Sequence, residues 1–354
     1  MSKKKRAAPQ WPSFRRYTTV ARDAARASAE QHQSLSNSIW CGDCRDVLRD
    51  KFPDCYFDLI VTSPPYAEAR KSTYGGIHAD RYAAWMLERT SEFLRVLKPT
   101  GTFILNIKEK VIDGERHTYV IDLIKGMRSQ GWLWTEEFIW HKKNCYPGKW
   151  PNRFRDSWER LLQFNKSREF KMRQESVMVP MGNWKDARLR NLSETDRRRD
   201  ESRVLSGFGK NVSKWVGRDM AYPTNVLHRA TECANRNHSA VFPYWLPEWF
   251  IQLFTDKGDR VLDPFLGSGT TALAARDLGR WFAGIDINEQ YCAAARTALT
   301  QASRKGTHGK ARPSRGSRLR ESEHWQLSFQ EAEEPSGAEA RQGSEAEESV
   351  SIQG

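Results

Sequence analysis

A strand, a glycine-containing turn, a helix and a second strand are predicted in succession between residues 259 and 286. The first strand ends in an acidic residue. The second ends at Asp286, about twenty residues beyond the glycines, where an acidic side chain meets ribose hydroxyls in nucleotide-binding βαβ units. A lone Gly-x-Gly would be weak evidence, but the whole succession indicates a nucleotide site in a parallel sheet. Its candidate ligand-binding residues are Asp263, Pro264, Phe265, Gly267, Ser268, Gly269, Thr270 and Asp286.

A second apolar run, residues 59–61, also predicts a buried strand, and it leads into Ser63-Pro64-Pro65-Tyr66. Proline has no amide hydrogen for a sheet ladder, so the chain must leave the sheet there. The turn carries a hydroxyl, a carbonyl and an aromatic ring at a strand's carboxyl end, where open α/β sheets bind ligands. Two acceptors beside a flat ring suit a planar substrate that bears an amino group. Taken alone, a strand followed by a proline loop explains the stretch equally well.

Together these two stretches resemble the S-adenosylmethionine-dependent DNA amino-methyltransferases, in the group whose catalytic tetrapeptide precedes the cofactor motif. The resemblance covers residues 39–295. In that group Ser-Pro-Pro-Tyr is associated with N4-cytosine methylation and Asp-Pro-Pro-Tyr with N6-adenine methylation. The resemblance implies that residues 63–66 are catalytic, that S-adenosyl-L-methionine is the cofactor and that double-stranded DNA is the partner. A cognate restriction endonuclease, as in a restriction–modification system, is a further implied partner.

The resemblance also implies a chemistry. The Ser63 hydroxyl and the Pro64 carbonyl would each accept a hydrogen from the amino group of a flipped-out base, with Tyr66 stacked on it. No cysteine nucleophile is needed. Asp43 matches a residue that contacts the adenine of the cofactor, although capping of the following helix explains it equally well. Asp263 would lie near the sulfonium, and Asp286 would take the ribose hydroxyls.

Rival functions stay open at this point. Adenine presents the same amino geometry, and Ser63 favours cytosine only by association. A methyltransferase for RNA or protein amides is disfavoured by the order of the motifs. A DNA-binding protein without catalysis is disfavoured by the intact tetrapeptide and glycine turn. A dehydrogenase would need a third glycine in the turn.

The candidate DNA-binding residues lie in two regions. The segments 141–144, 153–156 and 158–160 resemble the family's lining of the target-base pocket. Trp140 or His141 could supply a ring face for the base, although core packing is the favoured explanation for Trp140. The arginine-rich stretch with interleaved aromatics further on predicts DNA sequence recognition, with an inert surface insertion as the alternative. The candidates are Trp140, His141, Lys142, Lys143, Arg153, Arg197, Arg198 and Arg199.

Alternating strands and helices predict an α/β fold with a parallel, doubly wound sheet, circularly rearranged because the nucleotide unit is C-terminal. We expect a basic disordered arm (1–36), a catalytic half (37–165), an inserted recognition region (166–222), a cofactor-binding half (223–300) and a disordered tail (301–354). Low apolar content in the tail prevents it from offsetting the entropy of ordering.

Composition sets further bounds on the function. The chain has 354 residues and a net charge of +13, which favours an anionic partner such as nucleic acid over a merely solvated basic surface. No apolar run approaches the roughly eighteen residues of a membrane helix, and no signal peptide is visible, so we expect a cytoplasmic protein of a prokaryotic cell or its virus. The six cysteines contain a single Cys-x-x-Cys pair without a zinc-completing partner, so we expect reduced, packing cysteines and no metal.

Overall fold

The structure is a computed structural model, and it describes residues 35–69, 75–144, 151–182, 193–194, 215–231 and 242–305. All of these residues belong to one unit, Met1–Thr307. The predictions made for residues 1–34, for Arg197, Arg198 and Arg199, and for the tail beyond residue 305 lie outside the described residues.

Strands and helices alternate along most of the described chain. The strands are β1 (Ser38–Cys41), β2 (Phe57–Thr62), β3 (Leu97–Ile107), β4 (Val111–Ile112), β5 (Glu115–Arg116), β6 (Leu133–Lys142), β7 (Trp158–Asn165), β8 (Val179–Pro180), β9 (Met220–Ala221), β10 (Val226–Arg229), β11 (Arg260–Asp263) and β12 (Trp281–Asp286). The α-helices are α1 (Cys44–Lys51), α2 (Ala79–Val96), α3 (Tyr119–Ser129), α4 (Trp245–Phe254), α5 (Thr270–Asp277) and α6 (Glu289–Lys305), and Gln174–Val177 forms a 3-10 turn.

The central sheet has eight strands in the order β1-β12-β11-β2-β3-β7-β6-β10. All neighbours pair in parallel except β7, which is antiparallel to both β3 and β6. The predicted α/β class is confirmed, but the expectation of a purely parallel sheet is wrong. Strand β7 escaped prediction because charged Glu159 and Arg160 follow its first residue and two polar residues, Gln163 and Asn165, interrupt its apolar ones.

Helices cover both faces of the sheet, as expected of a doubly wound fold. One core contains the buried sides of α1, α2 and α3, and the other contains those of α4, α5 and α6. Strand β2 serves both cores, because Ile60 faces the first while Leu59 and Val61 face the second. Side chains alternate across a strand, so a strand buried on both faces is apolar throughout.

The long segment between β7 and β10 starts at the edge of the sheet opposite the strands' carboxyl ends. Lys171 donates a hydrogen bond to Asp259, and Arg173 donates to Asp256 at 3.0 and 3.1 Å. Both acidic residues precede β11 in the chain. The segment's two described ends then meet, because β8 pairs with β9. Trp184 and Phe208, two of the aromatics noted in this region, lie outside the described residues.

Candidate active site

The serine turn (residues 63–66) and the glycine turn (residues 264–269) leave the same edge of the sheet. Strands β2 and β11 are parallel neighbours, with Leu59 opposite Val261 and Ile60 opposite Leu262. Their carboxyl ends are therefore side by side, and the Thr62 hydroxyl donates a hydrogen bond of 2.6 Å to the Asp263 carboxylate. The two stretches that the sequence singled out, distant in the chain, are joined by this bond. We call this edge the active-site edge.

Asp263 is the buried centre of that junction, with 3% of its surface exposed. One carboxylate oxygen accepts from Thr62 and from the Phe265 amide at 3.1 Å, and the other accepts from the Thr271 hydroxyl at 2.6 Å. Burial raises the pKa of Asp263 to about 6, although these three donors act in the opposite direction. The carboxylate thus ties the serine turn, the glycine turn and the start of α5 to one point.

Asp286 shapes the glycine turn from the neighbouring strand. Its carboxylate accepts hydrogen bonds of 2.8 Å from the Gly267 amide and from the Asn288 amide. Gly267 has a φ of +54° and Gly269 a φ of +88°, which is backbone that glycine adopts without strain. A Cβ atom on Gly269 would also lie 2.7 Å from the Ala295 Cβ of α6, so this glycine permits close packing of two helices.

The other predicted cofactor residues line the same turn. Pro264 is buried, and Phe265 is half-buried with its ring centroid 5.8 Å from that of Trp85 in α2. The Ser268 and Thr270 hydroxyls are 3.4 Å apart at the start of α5. Sequence reasoning missed one neighbour: Ile287, directly after Asp286, exposes 59% of its surface. An exposed branched side chain beside a nucleotide-type turn offers an apolar surface for a flat ring.

Asp43 lies at the carboxyl end of β1, on the same edge, and caps α1. Its carboxylate accepts from the Arg45 amide at 2.9 Å and from the guanidinium groups of Arg45 and Arg89. Burial alone would raise the pKa of Asp43, but the hydrogen bonds from Arg45 and the charge of Arg89 lower it overall. The helix-capping explanation is therefore confirmed, and the adenine contact stays a prediction.

The serine turn is held by a buried polar network that the sequence did not predict. Tyr66 donates a hydrogen bond of 2.8 Å to Glu159, and its hydroxyl also lies 3.3 Å from the Asn106 side-chain oxygen. The Asn106 amide donates to the same Glu159 carboxylate at 3.0 Å, and the Lys142 ammonium donates to its other oxygen. Ser63 Oγ lies 3.5 Å from the Tyr66 hydroxyl and acts as the donor.

This network also fixes the protonation of Tyr66. Burial, followed by the charge of Glu159, raises its pKa well above the usual range, so the phenol keeps its proton. The signal in the sequence was partial: segment 158–160 was recognised as pocket lining, and the structure adds that Glu159 contacts the tetrapeptide. Nothing in the local sequence marked Asn106 at the end of β3.

The candidate DNA-binding residues that the structure describes fall into different surroundings. Trp140 is buried, donates to the Arg229 carbonyl at 3.0 Å and packs edge-on against Trp245, so packing is its observed role and a base-stacking face is not available. Lys142 is engaged by Glu159, and the phosphate contact expected of this lysine stays a prediction.

Three candidates remain at the surface. His141 is half-buried, with its Nδ1 3.2 Å from the Nδ1 of His228, and Lys143 is exposed directly after the end of β6. Arg153 lies 3.6 Å from Asp156 in the β6–β7 connection. Burial, then the nearby His141 and Lys143, lowers the pKa of His228. All of these residues are at the active-site edge, because β6 runs parallel to β2.

Among the described residues, no group of three or more His, Cys, Asp or Glu side chains is arranged to hold a metal ion. None of the described helices is both long and apolar enough to span a membrane. The described cysteines 41, 44, 55 and 292 are free thiols, with Cys44 and Cys292 buried.

Comparisons with known proteins agree with this geometry. Residues 57–297 match the N6/N4 methyltransferase family, described as DNA methylase. The chain is 28% identical over 287 residues to the type II methyltransferase M.PvuII of Proteus hauseri, covering 75% of this chain and 84% of the relative. It is 30% identical over 259 residues to the type II methyltransferase M.BglII of Bacillus subtilis, covering 72% of this chain and 66% of the relative.

A solved structure supports the fold as well. The PvuII DNA methyltransferase (cytosine-N4-specific) superposes with a TM-score of 0.55 at 25% sequence identity, covering 73% of this chain and 84% of that one. The family match extends over more than half of this chain and contains both turns described above. The chain therefore belongs to the N6/N4 DNA methylase family and is a DNA methyltransferase.

Proposed function

We propose that the protein transfers a methyl group from S-adenosyl-L-methionine to the exocyclic N4 of a cytosine flipped out of double-stranded DNA. One observation carries the proposal: the hydrogen bonds at the serine turn all point the same way. Ser63 donates towards Tyr66, and Tyr66 donates to Glu159. The lone pairs of Ser63 Oγ are thereby left to accept a hydrogen from a substrate amino group.

The acceptor pair explains how the amino group becomes reactive. An exocyclic cytosine nitrogen is a poor nucleophile because its lone pair is delocalised into the ring. Ser63 Oγ and the Pro64 carbonyl would each take one of its hydrogens and draw the nitrogen towards tetrahedral geometry. Placement and electrostatic stabilisation of the charge that develops on the nitrogen then supply the rate.

The adjoining glycine turn fits the methyl donor. S-adenosyl-L-methionine, when bound, supplies an electrophilic methyl group on a cationic sulfur. Asp263 contributes negative charge at the junction of the two turns, and Ile287 offers an exposed apolar face to the adenine ring. Asp286 is our candidate for the ribose hydroxyls, in addition to its observed hydrogen bonds to the turn. The sulfur and the target nitrogen would then share one cleft.

The remaining roles concern the DNA. The amino group of a paired base is inaccessible, so the base must leave the duplex, and the Tyr66 ring is our candidate for stacking on it. His141, Lys143 and Arg153 would contact phosphates, and the region 166–222, including Arg197, Arg198 and Arg199, would read the sequence. A circularly rearranged order of the two half-domains, a cognate endonuclease and a prokaryotic cytoplasmic setting belong to the same proposal.

The test is direct. Purified protein is incubated with isotope-labelled cofactor and plasmid from a host without DNA methylation, and the digested nucleosides are identified by mass spectrometry. We expect label in N4-methylcytosine. Label in N6-methyladenine would assign the same acceptor pair to adenine, and absence of label from both bases would overturn the proposal. Sequencing of the modified plasmid then gives the recognition site.

A further inference from the structure

One aromatic side chain close to the active site is almost wholly exposed. Phe154 has 94% of its surface in contact with solvent, whereas the next most exposed large apolar residue in the described part of the chain, Ile287, reaches 59%. Single exposed apolar residues are common on protein surfaces, so exposure alone does not assign a role. Three further observations bear on the role of Phe154: its position at the active-site edge, the anchored residues that follow it in the chain and its charged neighbours.

Phe154 lies in the connection between β6 and β7, at the active-site edge. Five residues further on, Glu159 accepts the hydrogen bond of Tyr66 in the serine turn. Five residues extend at most about 18 Å, so Phe154 stands within that distance of the Glu159 backbone. Phe154 and the serine turn can therefore contact the same short stretch of DNA.

The residues beneath Phe154 are firmly held. Asp156 forms ion pairs with Arg116 of β5 at 2.6 Å and with Lys108 at 3.2 Å. The Lys142 amide at the end of β6 donates to the Ser157 carbonyl at 2.7 Å, which closes the base of the connection. The chain is thus anchored two and three residues after Phe154, which limits how far an exposed ring can move away when it pushes into a stack of bases.

The charge around Phe154 suits a duplex. Arg153 and Arg155 flank it in the sequence, and Arg155 is exposed. An apolar ring with an arginine on each side of it in the sequence suits a base step, whose flanking phosphates are negatively charged. Minor-groove and architectural proteins insert phenylalanine and similar wedges between base steps in this way.

We propose that Phe154 enters the DNA helix at the target site and fills the space that the flipped base leaves. The inference rests on the proposed function, because the space to be filled exists only where the enzyme extrudes its target base. By stacking on the bases next to the gap, the ring offsets part of the energy lost when the target base is unpaired and unstacked. Phe154 is thus a positioning residue for the flipped state.

The experiment uses two duplexes that carry the site mapped with the wild-type enzyme. In one duplex the target base is paired, and in the other an abasic residue stands opposite it, so the target is already unpaired. We expect Phe154→Ala to lower kcat/KM on the paired duplex by about tenfold or more, and on the abasic duplex by no more than about threefold. Phe154→Leu, which retains an apolar wedge, should recover most of the loss.

Controls separate this proposal from its alternatives. Trp134→Ala removes another exposed aromatic, at the opposite edge where β6 begins, and should leave both rates unchanged. Equal losses by Phe154→Ala on the two duplexes, or no loss on either, would overturn the proposal, as would a changed oligomeric state in gel filtration, which would identify a second copy as the partner of Phe154. Failure of the wild-type enzyme to methylate either duplex would instead count against the proposed function.

Discussion

The two turns of the active site are held in different ways. The glycine turn is fixed mainly from within its own βαβ unit, through the buried carboxylates of Asp263 and Asp286 and backbone amides close to them in the chain. The serine turn is fixed from outside, by Asn106 on β3 and Glu159 on β7. One turn is a local structure, and the other depends on the correct pairing of distant strands.

That difference decides what a sequence reveals. A local structure leaves a local pattern, and the sequence shows the glycine turn as a strand, two glycines, a helix and a terminal acid. A structure built from distant strands leaves no such pattern. The same difference predicts that the glycine turn should tolerate mutation of remote residues and that the serine turn should not. Asp263 belongs to both turns, so the largest effect is expected there.

Asp263→Ala should break the junction between the turns. It leaves Thr62, Thr271 and the Phe265 amide without their buried acceptor, which costs about 3 kcal/mol of unfolding free energy. Because Thr62 directly precedes Ser63, we also expect kcat to fall about 100-fold. Chemical denaturation and methylation of plasmid DNA measure the two effects. Unchanged stability would mean that the junction does not hold the turns together.

Asp263→Asn is the matched control, because it keeps the shape of the side chain but cannot ionise. The pH dependence of stability then isolates the effect of ionising Asp263. The folded-state pKa of Asp263 is raised from 3.8 to about 6, so protonated Asp263 favours folding. That contribution is complete below a pH of about 4 and is lost as the pH rises through about 6. The stability of the wild type relative to Asp263→Asn should therefore decline across this interval. A flat difference would contradict the raised pKa.

Ser63→Ala and Asp286→Ala should separate the two turns by function. Removing the Ser63 hydroxyl takes away one proposed amino-group acceptor, so we expect kcat to fall about 100-fold with cofactor binding unchanged. Removing the Asp286 carboxylate frees the Gly267 amide and should weaken cofactor binding about tenfold or more. Calorimetric titration with the cofactor and single-turnover methylation give the two quantities. Equal loss of cofactor affinity in both variants would refute the division of roles.

The dependence of the serine turn on distant strands is tested by a double-mutant cycle. Tyr66→Phe removes the hydroxyl, and Glu159→Gln removes the charge that engages Lys142. We expect each change alone to lower kcat about tenfold, and the double variant to lose little more, with a coupling energy of about 1 kcal/mol. The cofactor dissociation constant should stay the same. Simple additivity of the two losses would show that Glu159 does not act through Tyr66.

The same contrast explains what the sequence could and could not predict. The succession of β11, α5 and β12 within residues 259–286 was predicted correctly because apolar runs, glycines and terminal acids mark these elements directly. The Tyr66–Glu159 contact could not be read in this way, since it depends on β3 pairing with β7 so that Asn106 stands opposite Leu161. Trp140 was ambiguous for a related reason: an aromatic at a strand end has the same local pattern whether it faces a base or Trp245.

The smallest effect is expected at the opposite edge of the sheet. Arg173 pairs with Asp256 at the surface, where both side chains are about half exposed, and Lys171 also contacts this aspartate. The hydrogen bond from Arg173 is the first cause that lowers the pKa of Asp256, to about 2, so any stabilisation is present at neutral pH and is lost as the pH falls towards 2.

Arg173→Ala should therefore lower the Tm slightly at pH 7, less so in high salt, and leave kcat and cofactor affinity unchanged. Thermal unfolding at two salt concentrations and the plasmid assay measure this. Lys171→Ala is the comparison, because its less exposed ammonium serves Asp259 as well and should cost more stability. If Arg173→Ala reduced kcat as Ser63→Ala is expected to, the serine turn would depend on contacts across the whole sheet, and its dependence could no longer be ascribed to the strands that touch it.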